Sequence, residues 1–235
     1  MIKIEDIEVM GMRKAIKGMR NAMNSWDKSD SGYMVDEKLD GVQFSYFKIG
    51  EKDMKLCKNL IKAGSPDRKF MRMIHVQADV TAPLYWWKEF DTYKVGTVAN
   101  SCSTMHTLHK RDLTLDDFSH ENLISDSVDI LKDLINTLND CRDSYINYDK
   151  DINLITKEIT SKKHIWWQMI QLLPSSFNQM RTIDLNYETL FSIYHQRKGH
   201  KLDEWREFCK WIETLPYMKE FLGLDEQTET KEQKE

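Results

Sequence analysis

Polar residues of the kinds that bind anions stand at set distances in the stretch LLPSSFNQMRTIDLNYETLFSIYHQRKGHKLDEWREFCKW, residues 172–211. Leu173-Pro174, Asn186 and Arg197 follow the spacing LP-x11-N-x10-R, and His200, Glu204 and Arg206 come next. A helix over Tyr187–Gln196 places Asn186 at its start, where an asparagine caps open N–H groups and the helix dipole favours an anion. Arg197 then lies at the far end, where its planar fork suits a carboxylate or phosphate. The same residues also allow a reading without a ligand, in which Asn186 only caps and Arg197 only complements the dipole. Residue types alone leave both open.

A second polar stretch, PLYWWKEFDTYKVGTVANSCSTMHTL, covers residues 83–108. Cys102, His106 and His109 are spaced so that a helix would bring them towards one face, but no fourth ligand accompanies them, and the expectation is no metal. Asp112, Asp116, Asp117 and Glu121 read as a solvated helix start rather than a cation site. The pairs Trp86-Trp87 and Trp166-Trp167 read as core or interface rather than stacking platforms. No GxSxG, phosphate-binding glycine loop, HExxH or strand-borne GxGxxG is present.

The elements that must position these groups are legible as apolar periodicity. Ile16, Met19 and Met23 predict a helix over Arg13–Trp26, closed by a polar turn at Asp27–Gly32. Asp40-Gly41 precedes a strand over Val42–Ile49, and Glu51–Ala63 is a helix stopped by Gly64. Lys69–Val80 reads as a strand, with Thr81 and Pro83 opening a helix over Leu84–Tyr93. The 3-or-4 spacing from Ile124 to Tyr145 predicts the longest helix, preceded by a capping signal at Thr114 and Asp117. Ile155–Leu173 is another helix, ended by Pro174. A short strand over Phe177–Leu185 and helices over Tyr187–Gln196, Leu202–Leu215 and Pro216–Leu222 complete the chain. The expectation is an α/β (α+β) fold: a helix-rich single domain, 1-224, with a small sheet. Residues 225-235 form a disordered polar tail, because DEQTETKEQKE has no apolar residue to bury.

On these motifs the chain resembles the flavin-dependent thymidylate synthases. That family carries LP, a strand, and a pattern close to N-x-R-x-L-x-H/N-F-L-x-L-R, which is similar to the gapless run from Leu173 to Arg197. Its later R…H-A-Q-x-E-I-R is similar to Arg197, His200, Glu204 and Arg206 with one deletion. Its signature Q-W-x-R-H-R-x-x-S-x-N-E-x-S-x-R-Y is similar to residues 83–108: Trp86 matches the Trp, Lys88 the first Arg, and Asn100 and Ser103 the Asn and Ser. Departures are as plain. Glu89 and Phe90 stand for His and Arg, Ser101 for the acid, Met105 for a nucleotide-binding Arg, His106 for Tyr, Glu188 for the internal Arg, Ser192 for His or Asn, and Ile170 for an Arg before the LP. Lys88, Lys94, Arg111 and Arg181 are candidate replacements for the lost charge.

The resemblance implies binding of FAD, its reduction by NADPH, and use of methylenetetrahydrofolate to methylate dUMP or a related pyrimidine nucleotide, in a homotetramer. It assigns Ser103 and Arg197 to catalysis and the nucleotide, with Glu204 and Arg206 on the substrate side. Lys88, Asn100, Asn186 and His200 go to the cofactor. Each lost arginine removes charge-assisted hydrogen bonds of about 1.5–3 kcal/mol, which favours two alternatives: a non-catalytic nucleotide- or partner-binding protein on the same fold, and an enzyme for a modified or uncharged nucleoside.

The 235 residues carry 34 Lys and Arg against 38 Asp and Glu. The two signs are interspersed, so no broad field for nucleic acid or membrane arises. No apolar run approaches the roughly 18 residues of a membrane span, and the N-terminus MIKIEDIEVMGMRK places acids among its first apolar residues. A cytoplasmic protein with four unpaired, buried cysteines, Cys57, Cys102, Cys141 and Cys209, is expected.

Overall fold

A computed structural model describes residues 2–39, 42–148 and 161–225. Among them, strands β1 (Lys3–Met10), β4 (His75–Pro83), β6 (Asn178–Asn186) and β5 (Thr97–Ser101) form one sheet in the order β1-β4-β6-β5. Strands β2 (Gly32–Leu39) and β3 (Val42–Lys48) form a separate antiparallel hairpin, with Gly32 opposite Lys48 and Tyr33 opposite Phe47. The helices are α1 (Met12–Met19), α2 (Glu51–Ala63), α3 (Leu84–Phe90), α4 (Thr104–Thr107), α5 (Ser125–Ile146), α6 (Lys162–Leu172), α7 (Tyr187–Arg197), α8 (Asp203–Thr214) and α9 (Met218–Leu222). The fold is the expected mixed α/β, rich in helix with small sheets. No helix among the described residues is long and apolar enough to cross a membrane.

The chain divides into two compact units. The first comprises Met1–Ile4, Asp79–Thr92 and Ala99–Thr182. Its core joins Leu131, Ile135 and Leu138 of α5 to Met169 of α6 and to Leu108, Leu113 and Phe118. The spacing of those α5 residues puts them on one stripe, which explains why the long helix was visible in the sequence. The second unit comprises Glu5–Ala78, Tyr93–Val98 and Ile183–Glu235. It buries Ile16 of α1, Cys57 of α2, Leu190 and Ile193 of α7, and Trp205, Phe208 and Ile212 of α8. Each such large apolar side chain contributes about 1.5–3 kcal/mol by leaving water.

Most element boundaries fall within a residue or two of expectation, and the departures have identifiable causes. The first helix stops at Met19 and continues as 3-10 turns at Asn21–Met23 and Trp26–Lys28. Asn24 adopts a left-handed φ of 47°, a conformation asparagine tolerates, and Met23 is 82% exposed despite its helical spacing. The strand expected from Lys69 begins instead at His75, because Phe70 and Met71 are adjacent and both buried, an arrangement that a 3-10 turn over Arg68–Met73 provides and a pleat does not. Alternation then holds from Val76 through Ala78, Val80 and Ala82, all buried.

The capping signal at Thr114 and Asp117 closes a 3-10 turn, Leu115–Asp117, rather than the long helix, which has Ile124 at its N-cap. Helix α6 begins at Lys162 behind a Ser161 cap; the part expected before it, and the tail beyond Asp225, lie outside the described residues. Strands β1, β2 and β5 escape sequence reading since β1 and β5 are the two edges of the sheet and are mostly exposed.

Candidate functional site

In the second unit the α7 helix does start at Asn186 and end at Arg197. Asn186 is buried, 8% exposed, and its Oδ1 accepts the Thr189 N–H at 2.9 Å. Its own N–H donates to the Gly96 carbonyl, and Gly96, at φ +70°, lies so close that a Cβ there would strike the Asn186 amide nitrogen. Asn186 is therefore a helix cap held from two sides.

Arg197 is half-buried, and its Nε donates to the Tyr93 hydroxyl at 2.7 Å. Its guanidinium lies 4.7 Å from the centre of the Trp205 ring and 5.5 Å from that of Tyr93. Tyr93 in turn donates to Gln196 Oε1 at 3.0 Å, so the fork is oriented by a phenol and flanked by an indole. Tyr93 carries no motif; only its spatial place beside Arg197 reveals it.

The residues that follow Arg197 are less alike in role. The His200 Nδ1 accepts the Leu202 N–H at 3.2 Å, and Glu204 is buried on α8. Arg206 is exposed and spends its fork on the His200 and Lys201 carbonyls and the Asp203 carboxylate, tying down the turn before α8.

Glu188, where the resemblance leads one to expect an arginine, is enclosed by Ser65 at 2.7 Å, Arg68 at 3.2 Å and Arg72. Burial alone would raise its pKa, but hydrogen bonds from Arg72, Ser65 and Arg68 outweigh that and hold the carboxyl below its usual range. The missing charge at 188 is thus accompanied by two arginines reaching in from the Arg68–Met73 turn, a substitution that no linear motif displays.

In the first unit Trp86, Trp87 and Phe90 are fully buried, with Trp86 stacked on Phe90 at 5.1 Å. Trp87 donates to the Gln179 carbonyl at 2.9 Å. These aromatics form the core of the α3 region, in line with the reading of Trp86-Trp87 as core, and they take Phe90 out of any solvent-facing role. Lys88 is exposed on the outer side of α3, and Asn100 is exposed on β5. Ser103 is half-buried at the N-cap of α4, where its carbonyl accepts the Thr107 hydroxyl at 2.7 Å. A cavity of about 300 Å³ lies beside it, lined in part by Cys102, Thr104, Thr107, Asn178 and Gln179.

Ile170 packs against the α5–α6 core, so apolar burial has taken over the position of a lost arginine, whereas Met105 is 57% exposed. Of the candidate replacement cations, Arg111 is tied to Asp117, and Arg181 to Asp91 at 2.7 Å. Among the described residues Lys88 and Lys94 make no ion pair. No three His, Cys, Asp or Glu side chains converge as metal ligands there, Cys102, His106 and His109 included. Cys57 and Cys209 are buried as expected, but Cys102 is exposed, and Cys141 is only half-buried where it packs against the α5–α6 core.

The chain matches no protein-family model and no curated protein. In structure it is similar to Thymidylate Synthase X (ThyX) from Helicobacter pylori with FAD and dUMP, at TM-score 0.61 and 13% identity over 94% of this chain and 97% of that one. A second structure, flavin dependent thymidylate synthase ThyX from Helicobacter pylori complexed with FAD and dUMP, gives TM-score 0.59 and 13% identity over 93% and 97%. The fold is therefore that of the flavin-dependent thymidylate synthases, as the motifs led one to expect.

The resemblance assigns four positions to FAD. Lys88 and Asn100 present exposed polar ends that suit such a ligand. Asn186 Oδ1 and His200 Nδ1 already serve the chain's own backbone. These positions together supply one cation, Lys88, for a cofactor that carries a pyrophosphate.

Proposed function

We propose that this chain is a divergent flavin-dependent thymidylate synthase-like protein that binds a pyrimidine nucleotide and carries out FAD-dependent methylation of dUMP or a related pyrimidine nucleotide. The observation that carries the reading is Arg197: a half-buried guanidinium, oriented by the Tyr93 hydroxyl and packed on Trp205, at the end of a helix whose start is capped by Asn186. A fork fixed in this way loses little freedom when it takes a phosphate, which is what an anion clamp requires.

When bound, FAD supplies the hydride and carbon-transfer chemistry, with NADPH and methylenetetrahydrofolate as co-reactants. The chain's own task is to hold the nucleotide, by Arg197 and Ser103 with Glu204 and Arg206 in support, and to offer Lys88 and Asn100 to the cofactor. Assembly as a homotetramer belongs to this reading.

A second reading is favoured by the residues that have left the site: Phe90 is buried and Asn186 is spent as a cap. In it the chain is a non-catalytic nucleotide- or partner-binding protein on the same fold. Colour separates the two. Purified protein that is yellow, or takes up added FAD, supports the enzyme; colourless protein that takes up none supports the binding protein. Calorimetry with dUMP tests the shared step. Arg197→Ala is expected to weaken binding about tenfold to a hundredfold, the loss of about 1.5–3 kcal/mol of charge-assisted hydrogen bonding. Unchanged affinity removes Arg197 from the site.

A further inference from the structure

Interspersed charges along the sequence give no broad field for nucleic acid, yet the second unit gathers cations in one place. A groove of about 1280 Å³ is lined there by Lys14 and Lys17 of α1, Lys69 and Arg72 of the 3-10 turn, Asp67 and Trp26. An adjoining cavity of about 330 Å³ shares Lys17 and Trp26 with it and extends to Arg13, Tyr33 and Phe47. Arg13, Lys14, Lys17 and Lys69 are exposed and make no ion pair among the described residues, in a chain whose formal charge is −4. Arg72 is spent on Glu188, and Arg20, in the wall of the smaller cavity, on Asp53. Asp67 is the one acid among the described residues that line either space. Two aromatic rings stand along the same path. The Trp26 indole is fixed by its Nε1 donating to Asn21 Oδ1 at 2.8 Å, yet the residue remains 46% exposed. Tyr33 is 63% exposed and held edge-on against Phe47, with ring centres 5.7 Å apart.

Rings that are open to water but already held lose little freedom when a flat group stacks on them. Free cations along a groove, with such rings beside them, are what a single-stranded nucleic acid requires: the cations follow its phosphates and the rings take its bases, whatever the sequence. A duplex keeps its bases stacked inside and would leave Trp26 and Tyr33 without a partner. An acidic peptide would meet the cations but brings no ring at every unit. Pockets for ordinary small molecules measure about 300–1,000 Å³, so the groove exceeds what one base and sugar would fill. We infer that this path binds a single-stranded nucleic acid through several successive nucleotides. The inference goes beyond the mononucleotide chemistry proposed above and depends neither on Arg197 nor on flavin.

The full chain is titrated by fluorescence anisotropy with labelled oligothymidylates and oligouridylates of lengths up to about 16 nucleotides, with a duplex and with polyglutamate. Affinity for one or both single strands is expected to rise with length over the first several nucleotides, level off, and exceed that for the duplex and the polypeptide; the ratio of the two strands distinguishes DNA from RNA. Four free cations on phosphates predict that log K falls against log salt with a slope of about −3. Lys14→Glu and Lys17→Glu together should reduce that slope by about 1.4 and weaken binding about tenfold or more, since charged hydrogen bonds to phosphate are lost and repulsion replaces them. Trp26→Ala should weaken it about fivefold to a hundredfold, and Trp26→Phe, which keeps a ring, by less. All three positions are exposed, and unchanged circular dichroism of the variants checks their folding. Binding of dUMP stays as in the parent in these variants, and oligonucleotide binding stays as in the parent in Arg197→Ala, so failure of the groove and failure of the Arg197 reading are told apart. The inference is overturned if neither single strand binds more tightly than its mononucleotide, if duplex or polyglutamate binds as tightly, or if the lysine and tryptophan variants leave affinity unchanged.

Discussion

Asp53→Asn is expected to be among the most destabilising single-atom exchanges available in this chain. Asp53 is fully buried on α2, and its carboxylate accepts from Arg20 Nε at 2.5 Å and from the Ser29 and Ser31 hydroxyls at 2.6 Å each. Arg20 is itself only 6% exposed. Asparagine keeps the shape but removes the charge, leaving a buried guanidinium without its counter-ion at a cost of about 3–5 kcal/mol. Folded domains hold about 5–15 kcal/mol in all, so the variant keeps a reduced margin.

With a urea slope of about 2–3 kcal/mol/M, the unfolding midpoint should fall by roughly 1–2.5 M. The apolar double variant Arg20→Met, Asp53→Leu should recover much of this, because neither charge then needs a partner. The two serines directly follow the turn that carries Trp26, so Asp53→Asn should also increase the mobility of that indole, read by acrylamide quenching against Trp26→Phe. A midpoint shift of less than about 0.3 M for Asp53→Asn, by the same slope, would refute the claim that this pair is held out of water.

Three further outcomes follow from other parts of the chain. The Glu188 carboxyl is held below its usual range, so its stabilisation is complete above the unfolded value of about 4.3 and is lost as pH falls through the lower folded value. Glu188→Gln should therefore flatten the acid limb of stability against pH, and an unaltered limb counts against the Arg68–Arg72 enclosure. Burial, aided by Asp53, pushes the Cys57 thiol up to about 12, and burial with Glu213 does the same for Cys209, while Cys102 is exposed. A thiol reagent at pH 8 should label Cys102 rapidly, half-buried Cys141 more slowly and the two buried cysteines only on unfolding; a rapid phase of undiminished amplitude in Cys102→Ser contradicts this. Gly96→Ala places a side chain at φ +70° and against the Asn186 amide, and should destabilise by about 1–3 kcal/mol in thermal unfolding. A neutral result would mean that the Asn186 cap is not packed as described.

The sequence by itself determined the elements whose apolar residues repeat on one stripe. Helices α2, α5, α7 and α8 were readable because burial selects their residues at helical spacing, and the Asn186 and Arg197 positions followed from the ends of α7. What it did not determine is what those end groups touch. Edge strands β1 and β5 leave little apolar trace since water covers much of them. Tyr93 meets Arg197 across 104 residues, Arg72 meets Glu188 across 116, and Arg20 meets Asp53 across 33. Such pairings depend on how far apart the folded backbone sets two side chains, and a local pattern of residue types carries no information about that distance. Only the tertiary structure decides that Arg197 is a positioned fork, that Arg206 is a turn clamp, and that the unpaired lysines share a groove with Trp26.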